Sequence, residues 1–449
     1  MTEHMQETMS GTAGYFWDQV PKELDLETSL PGYVQLQEDG YFHIVVVTSH
    51  AKSAIDWDSR DRDYPNSIVG MTNVRGSLFF DFAGMSESNI IGATRASTRT
   101  FKTRSSIVGV SLDELKTDNF RSLSVRMPNL TKWSGLNHIK EEVTRGDDQR
   151  LKSWSGSVDS TEPIVGNLGK GLTLSLSTSW SVSGPSDNRI VAAPLVISTE
   201  VNRPRSWQDL IGPLVAVQDL INLAHKGHVV ANGGTATLDL NPGYRPSGAP
   251  EFWSDRLMRL PAGSAPPVSM DEFPAFNLSH IGGMKGIRAW IRLDRDHPRA
   301  TGPLVNTYRY GRSGVEMRLM EVALGIEYWT KANNKLKWAK LVKSGGKTEK
   351  LPNALARKVG RPFADFVGDP TVWSELFWDV YNSLKHAPNF QYDVDNIYYL
   401  GESGALLLEA ALLNRVAGNS LPARAIFASH RNHNIGRGIT QLVSLSSPK

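Results

Sequence analysis

Two residues near the end of one predicted helix, Asn382 and His386, have types and spacing suited to proton-transfer chemistry. Side chains four positions apart share a helix face. Because Pro388 disfavours helical backbone at Ala387, we expect the helix to end at or near His386. Carbonyl groups at a helix C-terminus favour the cationic imidazole, which titrates near neutral pH. The pair is therefore a candidate for proton transfer, although Lys and His are also common at helix ends without any catalytic role.

The other candidate ligand sets and phosphate-binding segments are weaker. His225 and His228 lie three positions apart near a predicted helix end and would supply half of a metal site. No third ligand with suitable spacing is evident, so we predict no metal. The glycine-containing segments 169–171 and 345–347 lack the patterns of phosphate and dinucleotide loops. The histidine pair and the two glycine-containing segments therefore predict no bound metal and no organic cofactor.

The composition predicts more than one folded unit. At 449 residues the chain exceeds the roughly 250–300 residues that one core organises. The absence of cysteine excludes disulfides, thiolate zinc sites and cysteine nucleophiles. The first residues lack a signal-peptide pattern, and no run approaches ~18 apolar residues. We therefore expect a cytoplasmic protein without a membrane span.

Positive charge is concentrated in the C-terminal third. The formal net charge is +3, but from Asn306 onward 19 Lys and Arg face 12 Asp and Glu. Seven lysines lie within residues 331–350, where Glu349 is the only acid. Such a patch attracts phosphate backbones irrespective of sequence, and it is also compatible with an ordinary solvated face. Lys331 and Lys335 are the candidates from this patch for binding a polyanion.

The N-terminal half has the sequence pattern of β-strands. Segments 41–47 and 76–82 are rich in β-branched and aromatic residues, and 172–177 alternates strictly between apolar and polar residues. The polar stretch 147–171 is expected to be a long surface connection.

The pattern becomes helical after residue 205. A Ser-x-x-Asp start at Ser206 opens a helix expected to end near Gly227, whereas the Gly- and Pro-rich residues 232–303 predict loops and short strands. From Val315 the apolar residues occupy more than one helix face, which is typical of a bundle. Further helices are expected over 371–385 and 402–416.

We therefore predict an α+β protein with a β-rich N-terminal region followed by an all-α helical bundle. The predicted domains are residues 1–205, a helix plus irregular connector over 206–305 that belongs to the N-terminal region, and the helical domain 306–449. An exposed linker is expected between about Thr301 and Arg312, because Pro303 and Gly311 lie there.

The helical region resembles a HEPN domain of ApeA-like phage-defence proteins. The similarity rests on an early buried helix with an acidic residue, a later helix ending in a polar-plus-histidine motif, and an apolar helix that closes in 412–418. In that family the motif is Arg, four to six residues, then His. Asn382 and His386 match its second part, whereas Tyr381 stands where the family places Arg.

The N-terminal region resembles the N-terminal domain of the same family. The matching segments occur in the expected order and are 14–17, 30–34, 68–70 leading into 78–80, 127–133 and the helix 207–223. Together with the helical region, the similarity covers most of the chain.

The resemblance implies a ribonuclease of abortive infection. It implies a homodimer in which two motif helices form a metal-independent cleft that cleaves RNA, for example tRNA. His386 would move the proton, and Asn382 would position the phosphate or the histidine. Tyr381 offers only a neutral hydrogen bond, so Lys385 or Arg431 would have to replace the missing cation.

Two interpretations of the resemblance stay open. In the first, the β-rich region senses an unknown phage trigger and releases the ribonuclease. In the second, the altered motif is catalytically inactive, and the HEPN module serves RNA binding, dimerisation or sensing.

Overall fold

The computed structural model describes residues 5, 10–38, 41–49, 65–72, 76–89, 96–158, 162–240, 249–269, 272–344, 347–387, 391 and 393–446. The chain forms two compact units. The first consists of Met1–Pro128, His138–Val215 and Val230–Arg259, and the second of Asn129–Asn137, Ala216–Val229 and Leu260–Lys449.

The first unit consists mainly of antiparallel β-strands. Its strands are β1 (Ser10–Trp17), β2 (Leu30–Leu36), β3 (Phe42–Ser49), β4 (Ile68–Thr72), β5 (Gly76–Asn89), β6 (Ala96–Val110), β7 (Leu115–Arg126), β8 (Ile139–Arg145), β9 (Leu151–Val158), β10 (Ile164–Gly169), β11 (Leu172–Thr178), β12 (Ser181–Ser183), β13 (Ile190–Ala192), β14 (Leu195–Arg205), β15 (Gly233–Leu240) and β16 (Glu251–Ser254).

Strand pairing closes part of this unit into a ring. Strands β6, β3, β2, β1, β4 and β5 pair in that order, and β5 pairs back onto β6. From β6 the sheet also continues through β16, β15, β7, β14, β11 and β10. Successive side chains of a strand point to opposite faces, so β3 buries Phe42, Ile44 and Val46 in one apolar cluster with residues from the other ring strands.

The helices belong mainly to the second unit. They are α1 (Leu130–Ser134), α2 (Trp207–His225), α3 (Asp255–Met258), α4 (Met284–Asp296), α5 (Pro298–Tyr310), α6 (Val315–Ala332), α7 (Leu351–Val359), α8 (Arg361–Val367), α9 (Pro370–His386), α10 (Val394–Ala417), α11 (Leu421–Ala428) and α12 (His433–Ser446). Two short strands, β17 (Lys343–Ser344) and β18 (Lys347–Thr348), pair with each other between α6 and α7.

Helix α10 is the central element of the second unit. It is buried on all faces over most of its length and packs against α4, α5, α6, α7, α9, α11 and α12. A helix that is apolar all round belongs in the interior of a bundle. Helix α9 is fixed against it in two ways: Trp373 Nε1 donates to Ser403 Oγ at 2.9 Å, and Gly404 leaves room for the ring of Phe377.

Buried ion pairs join further elements of this unit. Arg309 of α5 binds the buried carboxylate of Asp219 in α2, and its Nη2 lies 2.9 Å from an Asp294 oxygen in α4. Lys226 pairs with Glu409, which is buried in α10. Each carboxylate therefore has a cationic partner, which a buried charge requires.

The predicted fold class is confirmed, because a β-rich N-terminal region is followed by a helical C-terminal part. Strands β5 and β11 include two of the three segments predicted to be extended, β3 covers all of the third except Tyr41, and α9 and α10 include the two C-terminal helices. Across the described residues no helix is long and apolar enough to span a membrane.

Three local predictions were wrong. Segment 147–171 contains β9 and β10 instead of a long connection. Strand β9 is exposed along most of its length, so its sequence shows no apolar alternation that would reveal a strand. Backbone hydrogen bonds to β8 stabilise it instead. Residues 232–303 contain helix α4 in addition to short strands. The expected linker is mostly helix α5, which buries Thr301, Leu304 and Val305 and has Pro303 in its interior.

Candidate functional site

Helix α9 holds the motif and has a defined start and end. The carboxylate of Asp369 accepts from the backbone N–H groups of Thr371 at 2.8 Å and Val372 at 3.2 Å, which satisfies two of the free donors of the first turn. Ala387 N–H bonds to the Ser383 carbonyl at 2.8 Å and closes the last turn. The predicted end at His386 is confirmed; Pro388, on which that prediction was based, lies outside the described residues.

The two halves of the motif lie on different faces of α9. Trp373, Phe377 and Tyr381 follow one another at intervals of four and are buried, as helical periodicity dictates for an inward face. Asn382 is half-buried and His386 is exposed. The structure therefore brings Asn382 and His386 together at the outer end of the helix and directs Tyr381 into the bundle.

Tyr381 occupies a core position. Its side chain is 2% exposed, and its ring lies 5.1 Å from that of Trp378. Its hydroxyl is buried and has no hydrogen-bond partner among the described residues. The Nζ of Lys385 lies 5.7 Å from the centre of the Tyr381 ring, so a cation is held over this ring one turn away.

His386 is available for contact with a ligand. Its imidazole makes no hydrogen bond or ion pair within the described part of the chain, and Lys385 beside it is also exposed. On the same helix, Asp379 lies 3.7 Å from Lys350, and both side chains are substantially exposed. An ion pair of this kind contributes little to stability because water screens it.

The three predicted polyanion-binding residues have different surroundings. Lys331 pairs with Glu327 one turn earlier in α6, and Lys335 lies exposed beyond the end of that helix. Arg431 is bound on every nitrogen: Nε donates to the Phe273 carbonyl and Nη1 to the His225 carbonyl, each at 2.8 Å, and Nη2 binds Glu272. Lys335 is therefore the least contacted of the three cations, whereas Arg431 has a structural role.

Sequence reasoning missed a cleft of about 1010 Å³ in the second unit. We call it the basic cleft. The cleft is lined by parts of α8, α11 and α12 and by the turn before α12, and its ionisable side chains are Arg361, Asp365, Arg424, His430, His433 and Arg437. One sequence signal could have revealed it: no acidic residue follows Glu409, whereas four arginines do.

A second cavity, of about 570 Å³, contains both histidines of the considered metal pair. His225 is fully buried, and its ring nitrogens have no hydrogen-bond partner among the described residues. Burial lowers the pKa of His225 to about 4, and the Arg431 guanidinium contributes in the same direction. Burial and then Arg312 also lower the pKa of His228. Within the described residues no group of three His, Asp or Glu could hold a metal ion.

The fold and the site define a class: a two-unit protein in which a β-rich N-terminal region precedes a helical bundle with a histidine-terminated helix. Residues 12–285 match the family described as ApeA N-terminal domain 1, which is more than half of the chain. The chain therefore belongs to the ApeA family, and it is an ApeA-like phage-defence protein. No curated protein and no solved structure matches it. The matched segment ends inside α4 and does not include α9.

Proposed function

We propose that this defence protein is a metal-independent HEPN endoribonuclease whose reaction centre contains His386 and Asn382. The observation that carries the proposal is the end of α9, where Asn382 lies one turn before an exposed imidazole that has no partner among the described residues. Such an imidazole can exchange a proton with a bound substrate. The resemblance of the motif to HEPN ribonucleases supplies the reaction class.

In the proposed reaction a ribose 2′-hydroxyl attacks the adjacent phosphorus. One histidine accepts the proton of that hydroxyl, the bond between phosphorus and the 5′-oxygen breaks, and a second histidine protonates the leaving oxygen. The products are a 2′,3′-cyclic phosphate and a 5′-hydroxyl. One chain supplies one His386, so we propose that the second comes from the same helix of another copy in a homodimer.

Negative charge that develops on the phosphate oxygens needs a nearby cation. We propose that Lys385 supplies it, because this side chain is exposed and adjacent to His386. Arg431 is a poorer candidate, because Glu272 and two carbonyls already occupy its guanidinium. Lys331 and Lys335 are proposed to contact the RNA backbone farther from the scissile bond.

A second candidate function is a HEPN module that binds RNA or another copy without cleaving. The burial of Tyr381 favours it, because the position that carries Arg in the family here fills the core. In both cases we propose a cytoplasmic protein that acts on cellular RNA such as tRNA, with the N-terminal unit as the sensor of a phage trigger.

The deciding experiment compares His386→Ala with Glu375→Ala in the full chain. Glu375 is exposed on the same helix two turns or more from its end, so it controls for a surface change on α9. Purified proteins are incubated with total cellular RNA in the presence of a chelator, and cyclic-phosphate ends are quantified. We expect the rate of His386→Ala to fall by roughly 10²–10⁴-fold and that of Glu375→Ala to stay unchanged.

Unaltered cleavage by His386→Ala would exclude this histidine from the reaction. A wild-type protein that leaves the whole RNA pool intact, also when expressed during phage challenge, would favour the binding-module function instead.

A further inference from the structure

The basic cleft is a second charged surface of the helical unit. Its walls come from α8, α11 and α12. The motif helix α9 packs against α8 and α12, which form two of these walls. A ligand held in the cleft would therefore lie against the helices that support α9.

The positive charge of the cleft is poorly compensated. Asp365 is the only acid among the described residues that line it, and it lies 3.3 Å from Arg361. Arg437 donates to the neutral Asn434 side chain at 3.3 Å, and Arg424 has no ion pair within the described residues. Cations that outnumber the acids of a concave surface create a positive potential that attracts phosphate groups.

The cleft also has an aromatic floor. The rings of Phe366 and Phe427 lie 5.0 Å apart, and both residues line the cleft. Gly436 permits α12 to approach, since a Cβ there would lie 2.8 Å from the Phe366 ring. Thr440 Oγ1 donates to the Phe366 carbonyl at 3.0 Å. These contacts fix the walls, and Phe427 is partly exposed and available to a base.

We propose that the basic cleft binds the phosphate backbone of single-stranded RNA, with Arg424 and Arg437 as phosphate contacts. Charged grooves combined with aromatic rings are the usual means of binding single strands without sequence preference. The choice of RNA rests on the proposed ribonuclease function, whereas the affinity of the cleft for a polyanion rests on its charge alone. Acidic polypeptide is the competing occupant, and it would make no use of the aromatic floor.

The test measures binding of a fluorescent 12-nucleotide oligouridylate to the full chain carrying His386→Ala, which prevents cleavage. We expect Arg424→Glu with Arg437→Glu to weaken binding by ~10-fold or more. The slope of log affinity against log salt should become shallower by about 0.7 for each phosphate that the variant no longer neutralises. The same two positions changed to Lys should retain most of the affinity, because binding a phosphate needs the charge.

The matched control is Arg292→Glu with Arg295→Glu, because both residues are exposed arginines on α4 and the total change in charge equals that of the cleft variant. It should leave affinity within a factor of about two. Circular dichroism and thermal unfolding establish that each variant is folded.

Two outcomes would overturn the proposal: unchanged RNA binding by the folded double Glu variant, or displacement of the RNA by oligoglutamate at the concentration at which unlabelled RNA displaces it. Failure of the ribonuclease is a separate result. If the double Glu variant no longer binds RNA while wild-type protein cleaves nothing, the cleft is retained as an RNA site and the nuclease function is rejected.

Discussion

Tyr381 lies on the inner face of α9 with a buried hydroxyl that has no hydrogen-bond partner among the described residues. Removing an unsatisfied hydroxyl while keeping the ring leaves packing intact. We expect Tyr381→Phe to keep or raise the free energy of unfolding by up to about 1–2 kcal/mol. Urea unfolding followed by tryptophan fluorescence measures it. A decrease greater than about 1 kcal/mol would show that the hydroxyl has a partner.

A substitution of Tyr381 toward the family motif should lower the stability of the protein. Tyr381→Arg places a guanidinium at a position that is 2% exposed, and an uncompensated buried charge costs on the order of 3–5 kcal/mol. We therefore expect lower stability in the same urea assay. A gain in RNA cleavage without any decrease in stability would show that α9 can turn position 381 toward the surface.

His225 predicts a pH dependence of stability. Burial, and then Arg431, lower its pKa in the folded state from 6.5 to about 4, so between these pH values the unfolded chain binds more protons than the folded one. Its contribution is therefore fully present above about pH 6.5 and disappears as pH falls to about 4. Asp219 acts in the opposite sense, because burial raises its pKa to about 6.

The two effects are separated by comparing wild type with His225→Phe, which removes the titrating group and keeps a ring. The difference in free energy of unfolding should change by on the order of 3 kcal/mol in favour of wild type as pH rises from 4 to 6.5. A difference that stays constant over this range would mean that His225 is not kept neutral by the fold.

At the scale of elements, the packing of α9 on α10 depends on the absence of a side chain at Gly404. A Cβ there would lie 2.6 Å from the Phe377 ring and 3.1 Å from Val322. We expect Gly404→Ala to destabilise the protein by about 1–3 kcal/mol through overpacking, as measured by thermal unfolding.

Gly401, in the same helix as Gly404, provides the control, because the nearest atom to a Cβ there is the Cβ of Leu319 at 3.5 Å, an ordinary van der Waals contact. Gly401→Ala should be neutral or stabilising by up to ~1 kcal/mol, since alanine is the better helix former. Equal effects of both substitutions would contradict the close approach of α9 and α10.

Prediction from the sequence succeeded for elements with a strong local pattern and failed where tertiary contacts decide the structure. Alternation revealed β11, and Pro388 marked the end of α9. Helix α4 was missed because charged residues separate its apolar ones, and α5 was missed because Pro303 suggested a linker. The end of the helix that carries Asn382 and His386 was predicted correctly, but the burial of Tyr381 follows only from the helices that surround it.

The basic cleft was beyond prediction for a related reason. Arg361 and Arg437 are far apart along the chain and line the same cleft because α8 and α12 pack together. Local sequence showed the deficit of acids after Glu409, but it could not show that a concave surface gathers the arginines.

At the scale of the whole molecule, the family match and the motif concern different parts of the chain. The match covers residues 12–285 and includes the β-rich unit, whereas His386 lies 101 positions beyond its end. Family membership therefore supports the role in phage defence, and the reaction has to be established on the helical unit. The oligomeric state is the property of the whole molecule on which the proposed reaction depends, because the reaction centre is proposed to form between two copies.

The proposed mechanism needs one histidine to accept a proton and another to donate one, each from a different copy of the chain. Mixing wild type with an equal amount of His386→Ala, under conditions that allow subunit exchange, should leave roughly a quarter of the dimers with two intact histidines. RNA cleavage by the mixture should then fall to about a quarter of the rate of wild type alone at the same total protein concentration. If each copy acted independently, the rate would fall only to about half.

Light scattering before and after mixing verifies the dimer, and Glu375→Ala mixed in the same way should leave the rate unchanged. A monomer that cleaves RNA at full rate would rule out the shared reaction centre, since a single chain then provides every group that the reaction requires.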